Sequence, residues 1–211
     1  MKAQVLLALG ALLMTGAANA SGQTLTGDAE AGATKAAVCA ACHGVDGNAI
    51  DPQYPNLAGQ HESYTARHLG YFKGGQRENA VMLGFAATLN EQDMADLGAY
   101  FATQTVKPQL ADEAYVAQGQ ALYRGGRANL PACAACHGMA GQGNPGSVYP
   151  AIANQHAQYT ADMLRRFRDG AVYGDKNDAH ANIMAQVAKG LTDQEIEALA
   201  SYIQGLSPAQ R

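Results

Sequence analysis

The sequence predicts an all-α protein made of two copies of one helical domain, and three observations carry that expectation. The unit C-x-x-C-H occurs twice, at Cys39-Ala40-Ala41-Cys42-His43 and at Cys133-Ala134-Ala135-Cys136-His137. A long repeat surrounds both units, with its landmarks in the same order at offsets that grow from 94 to 102 residues. Apolar residues recur at helical spacing, and no sustained alternation of period two suggests strands.

Taken in order, Lys2, the apolar run Val5 to Ala18 and the small residues Ala18-Asn19-Ala20 read as a secretory signal peptide spanning residues 1–20. A retained anchor is the alternative, but a run of about 14 residues falls short of the roughly 20 that cross a bilayer. Removal leaves 191 of the 211 residues and moves the net charge from −4 to −5. That length suits two domains of roughly 90 residues, expected at 21–107 and 108–211. Pro108 lies in the stretch Thr105 to Ala111 and interrupts two helical patterns there.

Within the first copy, helices are expected from Asp28 to Val38 and from Ser63 to Lys73, the latter ended by Gly74-Gly75. Asn90 and Asp93 then open a last helix with Met94, Leu97, Tyr100 and Phe101 on one face. In the second copy the matching helices are Asp112 to Tyr123, before a longer loop at Gly125-Gly126, and Gln158 to Arg168, ended by Asp169-Gly170. Thr192 and Glu195 form a capping box before Ile196, Leu199, Tyr202 and Ile203. The loop Tyr54-Pro55-Asn56-Leu57-Ala58 recurs as Tyr149-Pro150-Ala151-Ile152-Ala153. The second copy carries about seven extra residues after Gly170.

All four cysteines lie in the two C-x-x-C-H units. Exported cysteines ordinarily pair as disulfides, and thiolates with imidazoles also build zinc sites. A disulfide framework gives no reason for a His after each pair, and each unit sits in its own copy of a longer repeat. The spacing fits two thiols joined to the vinyl groups of a haem, with the adjacent imidazole on its iron. Two covalently bound haem c groups are therefore expected, attached at Cys39, Cys42, Cys133 and Cys136, with His43 and His137 as iron ligands.

A neutral thioether is the usual partner of such a His where electrons are carried, because it favours ferrous iron and leaves no site open. Met82 and Met184 are the candidates: they match in the repeat, and both are read as lying in the loop between the middle and last helices. His180, four residues before Met184, competes for the second iron. Met94 and Met163 read as core, and Met139 stands too close to its own motif. His61 and His156 match in the repeat, but their place beside the Tyr-Pro loop suits a surface or hydrogen-bonding role. Pro55 and Pro150 could offer the carbonyl that accepts from each ligating imidazole. Tyr64, Phe72, Tyr100, Tyr159, Phe167 and Tyr202 read as haem-wall or helix-contact residues.

These features together resemble the dihaem cytochrome c4 family over essentially the whole chain after residue 20, and each half is similar to a class I cytochrome c. The resemblance implies an all-α fold of two tandem class I cytochrome c domains, each wrapped around one covalently attached haem and related by a pseudo-twofold axis. It also implies a periplasmic electron carrier, not an enzyme, that passes electrons between respiratory-chain components toward a terminal oxidase. Redox partners such as membrane oxidase or reductase complexes are expected, with a monomeric chain and loose peripheral membrane association. No basic cluster suggests a nucleic-acid partner. Residues 21–107 carry 5 basic and 9 acidic side chains, against 8 and 9 for 112–211, so the two ends offer different docking charge. Two rivals remain: the electron-accepting subunit of a larger dehydrogenase, such as a sulfide-oxidising flavoprotein, and a dihaem peroxidase with an opening coordination site.

Overall fold

Helix α1 (Ala29–Lys35) starts where the Asp28 carboxylate accepts the amides of Glu30 and Ala31, and it tightens into a 3-10 turn at Ala36–Cys39. The computed structural model describes residues 25–207, and segment 1–20, read from the sequence as a signal peptide, lies outside them. Short α2 (Ala40–His43) carries the first motif, followed by α3 (Glu62–Lys73), α4 (Ala80–Ala86) and α5 (Glu91–Thr103). The second half repeats the order as α6 (Glu113–Gly125), α7 (Ala134–His137), α8 (Ala157–Arg168), α9 (Ala179–Ala188) and α10 (Asp193–Gln204). Among the described residues the only β-type pairings are two isolated bridges, Arg127 with Leu130 and Asn144 with Tyr149. Both expected capping boxes are present, at Asn90/Asp93 and Thr192/Glu195.

Two helices were not anticipated. Met82 and Met184 lie on α4 and α9 rather than in loops. The Asn79 side chain accepts the Met82 amide at 3.0 Å, and the Asp178 side chain accepts the His180 amide at 2.9 Å. These short polar caps satisfy first-turn donors and let a brief helix form. Gly125 also belongs to α6 rather than to the following loop; the chain turns at Gly126, where φ is 64°.

In each half the first helix crosses the last so closely that only glycine fits. A Cβ on Gly32 would stand 2.0 Å from the Asp96 carbonyl oxygen, and one on Gly119 would stand 2.3 Å from that of Ala198. These matched crossings hold the motif-bearing segment against the terminal helix. Around them, Leu97 and Phe101 anchor the first core, and Tyr123, Ile196 and Leu199 the larger second one.

At the first crossing, Asp96 is buried in α5, where it receives Lys35 Nζ at 2.5 Å, the Asp28 amide at 2.9 Å and Gln92 at 2.7 Å. The Lys35 hydrogen bond is the largest influence that lowers its pKa, from 3.8 to about 2. A depressed carboxylate contributes stability above its unfolded pKa and loses it as pH falls through the folded one. Denaturant melts should therefore show the first half weakening between pH 3.8 and about 2, and Asp96→Asn should flatten that dependence. An unchanged acid limb in the variant would refute the assignment.

The chain between α5 and α6 is fastened at both ends. Lys107 donates its amide to Asn48 at 2.8 Å, whereas Gln109 donates to Asn154 at 3.0 Å and Asp112 to Ser201 at 2.9 Å. Hydrogen bonding thus switches from the first half to the second across Pro108, which has no amide hydrogen to contribute.

Candidate haem sites

Each motif places its Cys-x-x-Cys-His on one short helical stretch closed by a glycine in a conformation that other residues avoid: Gly44 at φ 77° and Gly138 at φ 78°. Both histidines are buried, His43 at 8% and His137 at 7% exposure. His43 Nδ1 donates to the Pro55 carbonyl at 2.9 Å, and His137 Nδ1 donates to the Pro150 carbonyl at 3.0 Å. Burial lowers the pKa of both rings, and the proline carbonyls partly oppose it. Each imidazole is thus held with Nδ1 protonated and its Nε2 lone pair free for a metal.

The four thiols are not paired in disulfides. Burial pushes the Cys39 thiol up, and that of Cys133 up to about 11. Among the described residues no group of three or more His, Cys, Asp or Glu is gathered to hold a metal ion. The two motifs therefore do not converge on one zinc centre. Each instead presents the parts that a covalently attached haem requires: two thiols one turn apart and an oriented neutral imidazole.

The aromatic residues divide by role. Tyr100 donates its hydroxyl to the Val45 carbonyl at 2.9 Å, just past the first motif. In the second half that work falls to Tyr123, fully buried and bonded to the Gly138 carbonyl at 2.7 Å. Tyr202, the repeat partner of Tyr100, accepts from Arg124 Nε at 3.0 Å instead. Tyr123 was legible only as the end of a helix, because Ala36 occupies its place in the first copy. Phe72 and Met94 are buried, as helix-contact residues should be, while Met139 is 55% exposed.

Met82 and Met184 are each half-buried, and Met184 packs against the second core. His180 is exposed, its ring 6.3 Å from that of Tyr149, which lies 6.3 Å from His137.

Between the halves runs a symmetric contact that sequence reading missed. Gln60 donates to the Ala151 carbonyl at 2.8 Å and accepts the Ala151 amide at 3.0 Å. Its repeat partner Gln155 does the same to Asn56, at 3.0 and 2.8 Å. Gln60 and Gln155 correspond at an offset of 95, as do Asn56 and Ala151. Such reciprocity is the mark of a twofold relation. Asn56 and Ala151 directly follow Pro55 and Pro150, so the interface also braces the carbonyls that orient both ligating imidazoles.

His156 Nε2 donates to the Ala49 carbonyl across the same interface at 2.9 Å, and the ring is buried. The hydrogen-bonding role expected for it is correct; a surface position is not. His61 is half-buried at the start of α3.

Paired helical halves, each presenting a C-x-x-C-H motif with its imidazole oriented by a proline carbonyl, define a two-domain protein of the c-type cytochrome class. A cytochrome c family model matches residues 29–105 and 116–207. Cytochrome c4 of Pseudomonas aeruginosa is 44% identical over 204 residues, covering 96% of both chains. The crystal structure of reduced recombinant cytochrome c4 from Pseudomonas stutzeri superposes with a TM-score of 0.81 at 44% identity, covering 86% of this chain and all of the other. The thiosulfate dehydrogenase electron acceptor of Stutzerimonas stutzeri is 34% identical over 180 residues, covering 82% of this chain and 81% of its own. The chain belongs to the cytochrome c4 family. It is a dihaem electron-transfer protein rather than an enzyme, and its cofactors are two haem c groups.

Proposed function

We propose that the chain is a periplasmic carrier that takes electrons from one respiratory component and delivers them toward a terminal oxidase. In this reading Cys39 and Cys42 hold the first haem, with His43 and Met82 on its iron. Cys133 and Cys136 hold the second, with His137 and Met184. The domains divide at 107/108, in keeping with the change of hydrogen-bonding side at Pro108. The haems supply reversible one-electron chemistry. What the chain supplies is orientation and enclosure: the proline carbonyls hold each imidazole, and the glycine crossings hold each motif against its terminal helix.

The observation that carries the proposal is the duplicated His-to-Pro carbonyl bond, one for each motif. It fits two irons each held by a His ligand of fixed orientation, as repeated one-electron cycling without rearrangement requires. The periplasmic placement rests on residues 1–20 and on covalent haem attachment. Among the described residues no helix is long and apolar enough to cross a membrane. Membrane association, in this reading, is loose and peripheral.

A second reading follows from the thiosulfate dehydrogenase electron acceptor relative: the chain could receive electrons directly from a dehydrogenase. Stopped-flow kinetics of the purified dihaem protein separate the two. Rapid, salt-sensitive oxidation by oxidase-containing membranes, without carbon monoxide binding, is the expected result. Fast reduction by a purified dehydrogenase together with inert behaviour toward those membranes would favour the second reading.

A further inference from the structure

Helices α4 and α9, which carry Met82 and Met184, match in the repeat at an offset of 102, yet their outer faces differ. Both lie in the same register, because Ala86 and Ala188, four residues after the two methionines, are each 0% exposed. At 3.6 residues per turn, Ala80, Gly84 and Ala87 then fall on the side of α4 away from Met82 and Ala86, with Val81 and Leu83 at its edges. All five are exposed. The positions matching Ala80, Gly84 and Ala87 on α9 are Asn182, Gln186 and Lys189.

The outer face of α9 is therefore polar, and the extra residues of the second copy fasten to it. Asn182 donates its side-chain amide to the Lys176 and Asp178 carbonyls at 2.7 and 2.8 Å. In the first half that insertion is lacking, and the stretch Ala80 to Ala87 contains no polar side chain. Apolar side chains scattered singly on a surface need no explanation, but a whole exposed face of them marks a contact.

The surrounding charge narrows what makes that contact. Glu78 and Glu91 flank α4 in sequence and are exposed, in a half with 9 acidic and 5 basic side chains. Lys73, at the end of α3, binds the Leu89 carbonyl. A second copy or an anionic lipid surface would bring like charge to this face, whereas a basic protein would be attracted. At 1.5 Å per residue α4 is only about 10 Å long. A contact of that size falls below the roughly 1,200 Å² of a stable complex and suits a transient encounter.

We propose that the outer face of α4 is the docking surface for a redox protein whose own centre is ringed by apolar and basic side chains, and that the second half has no equivalent. Electrons then enter or leave through the first haem, beside which Met82 places this helix. The inference rests on the electron-transfer reading, but neither on the natural partner nor on the direction of transfer.

The test is laser-flash electron transfer from a zinc-substituted basic cytochrome c, with lysines around its exposed porphyrin edge, to the ferric holoprotein. Leu83→Gln/Gly84→Gln is expected to lower the bimolecular rate about tenfold, whereas Ala185→Gln, at the position on α9 that matches Leu83, stays within about twofold of the parent. A Cβ at Gly84 meets nothing within 4 Å, so the longer side chain is accommodated. Ala80→Asn/Ala87→Gln, on the same face, gives the same reading if the first pair disturbs α4. Added salt should slow the parent, and Glu78→Gln/Glu91→Gln should flatten that dependence. Reduction by ascorbate and the visible spectrum should not change in any variant. Unchanged flash rates in both α4 variants would overturn the proposal, as would an equal fall in their ascorbate rates. A dimer that the α4 variants dissolve, or binding to anionic vesicles that they abolish, would overturn it too. Inertness toward oxidase-containing membranes would sink the terminal-oxidase reading and leave this one standing, because the zinc probe requires no natural partner.

Discussion

Replacing Met184 with alanine is expected to lower the potential of one haem by a large margin and to open its iron to carbon monoxide. Axial ligand identity spans about 0.8 V across haem proteins, so loss of a thioether is the largest single perturbation available to this site. The weak ferric band at the red end of the visible spectrum, which accompanies Met ligation, should fall to half. Met82→Ala should do the same for the other haem, and the double variant should abolish the band. His180→Ala is the control for the second site. The His180 side chain is exposed, and its amide belongs to the Asp178 cap that starts α9, whereas Met184 lies one turn further along and packs against the core. If Met184→Ala leaves the band intact while His180→Ala opens one iron to carbon monoxide, the ligand assignment is wrong.

The second large effect concerns the joint between the halves. Gln60 and Gln155 each satisfy a backbone amide and a carbonyl of the opposite half. Truncating either one leaves those partly buried groups without partners, at a cost of about 1–3 kcal/mol for each unsatisfied group. The double variant Gln60→Ala/Gln155→Ala should therefore convert one cooperative thermal transition into two. Calorimetry of the holoprotein provides the measurement. A single transition with an unchanged midpoint would show that the remaining cross-half bonds, such as Asn56 to the Asn154 carbonyl and His156 to the Ala49 carbonyl, suffice to hold the halves together. Either single variant should lose about half the effect, because the two glutamines make equivalent bonds around the pseudo-twofold axis.

Much of the candidate site was legible from spacing because haem attachment is local chemistry. Cys39, Cys42 and His43 lie within five residues, and one short helix places them without help from the rest of the chain. The same holds for the capping boxes of α5 and α10, which depend on residues three apart. Helices α4 and α9 were missed because their start signals, Asn79 and Asp178, sit in polar stretches that also read as loop. Arg77, which donates to the Tyr159 hydroxyl at 2.8 Å and lies 4.7 Å from the Tyr173 ring centroid, was missed for a different reason: nothing near it in sequence foretells those two tyrosines, which come from 82 and 96 residues further along. Gln60 and Gln155 were visible as a matched pair in the repeat, but a match alone does not say that each binds the other copy.

Residue order was enough to establish the duplication, the helical class and the four thiols and two imidazoles of the two motifs, and to nominate the proline carbonyls that the folded chain places on both rings. Each of these follows from short spacing or from comparison of one half with the other. How the halves meet was readable only in the folded chain: the reciprocal glutamine bonds, the buried His156, the use of the inserted Tyr173 to wall in Arg77, and the crossings at Gly32 and Gly119 where a Cβ would collide with backbone. The difference is one of range. Covalent attachment and capping act over a few residues, whereas the desolvation of an arginine or a backbone amide depends on whatever the folded chain brings against it from far away.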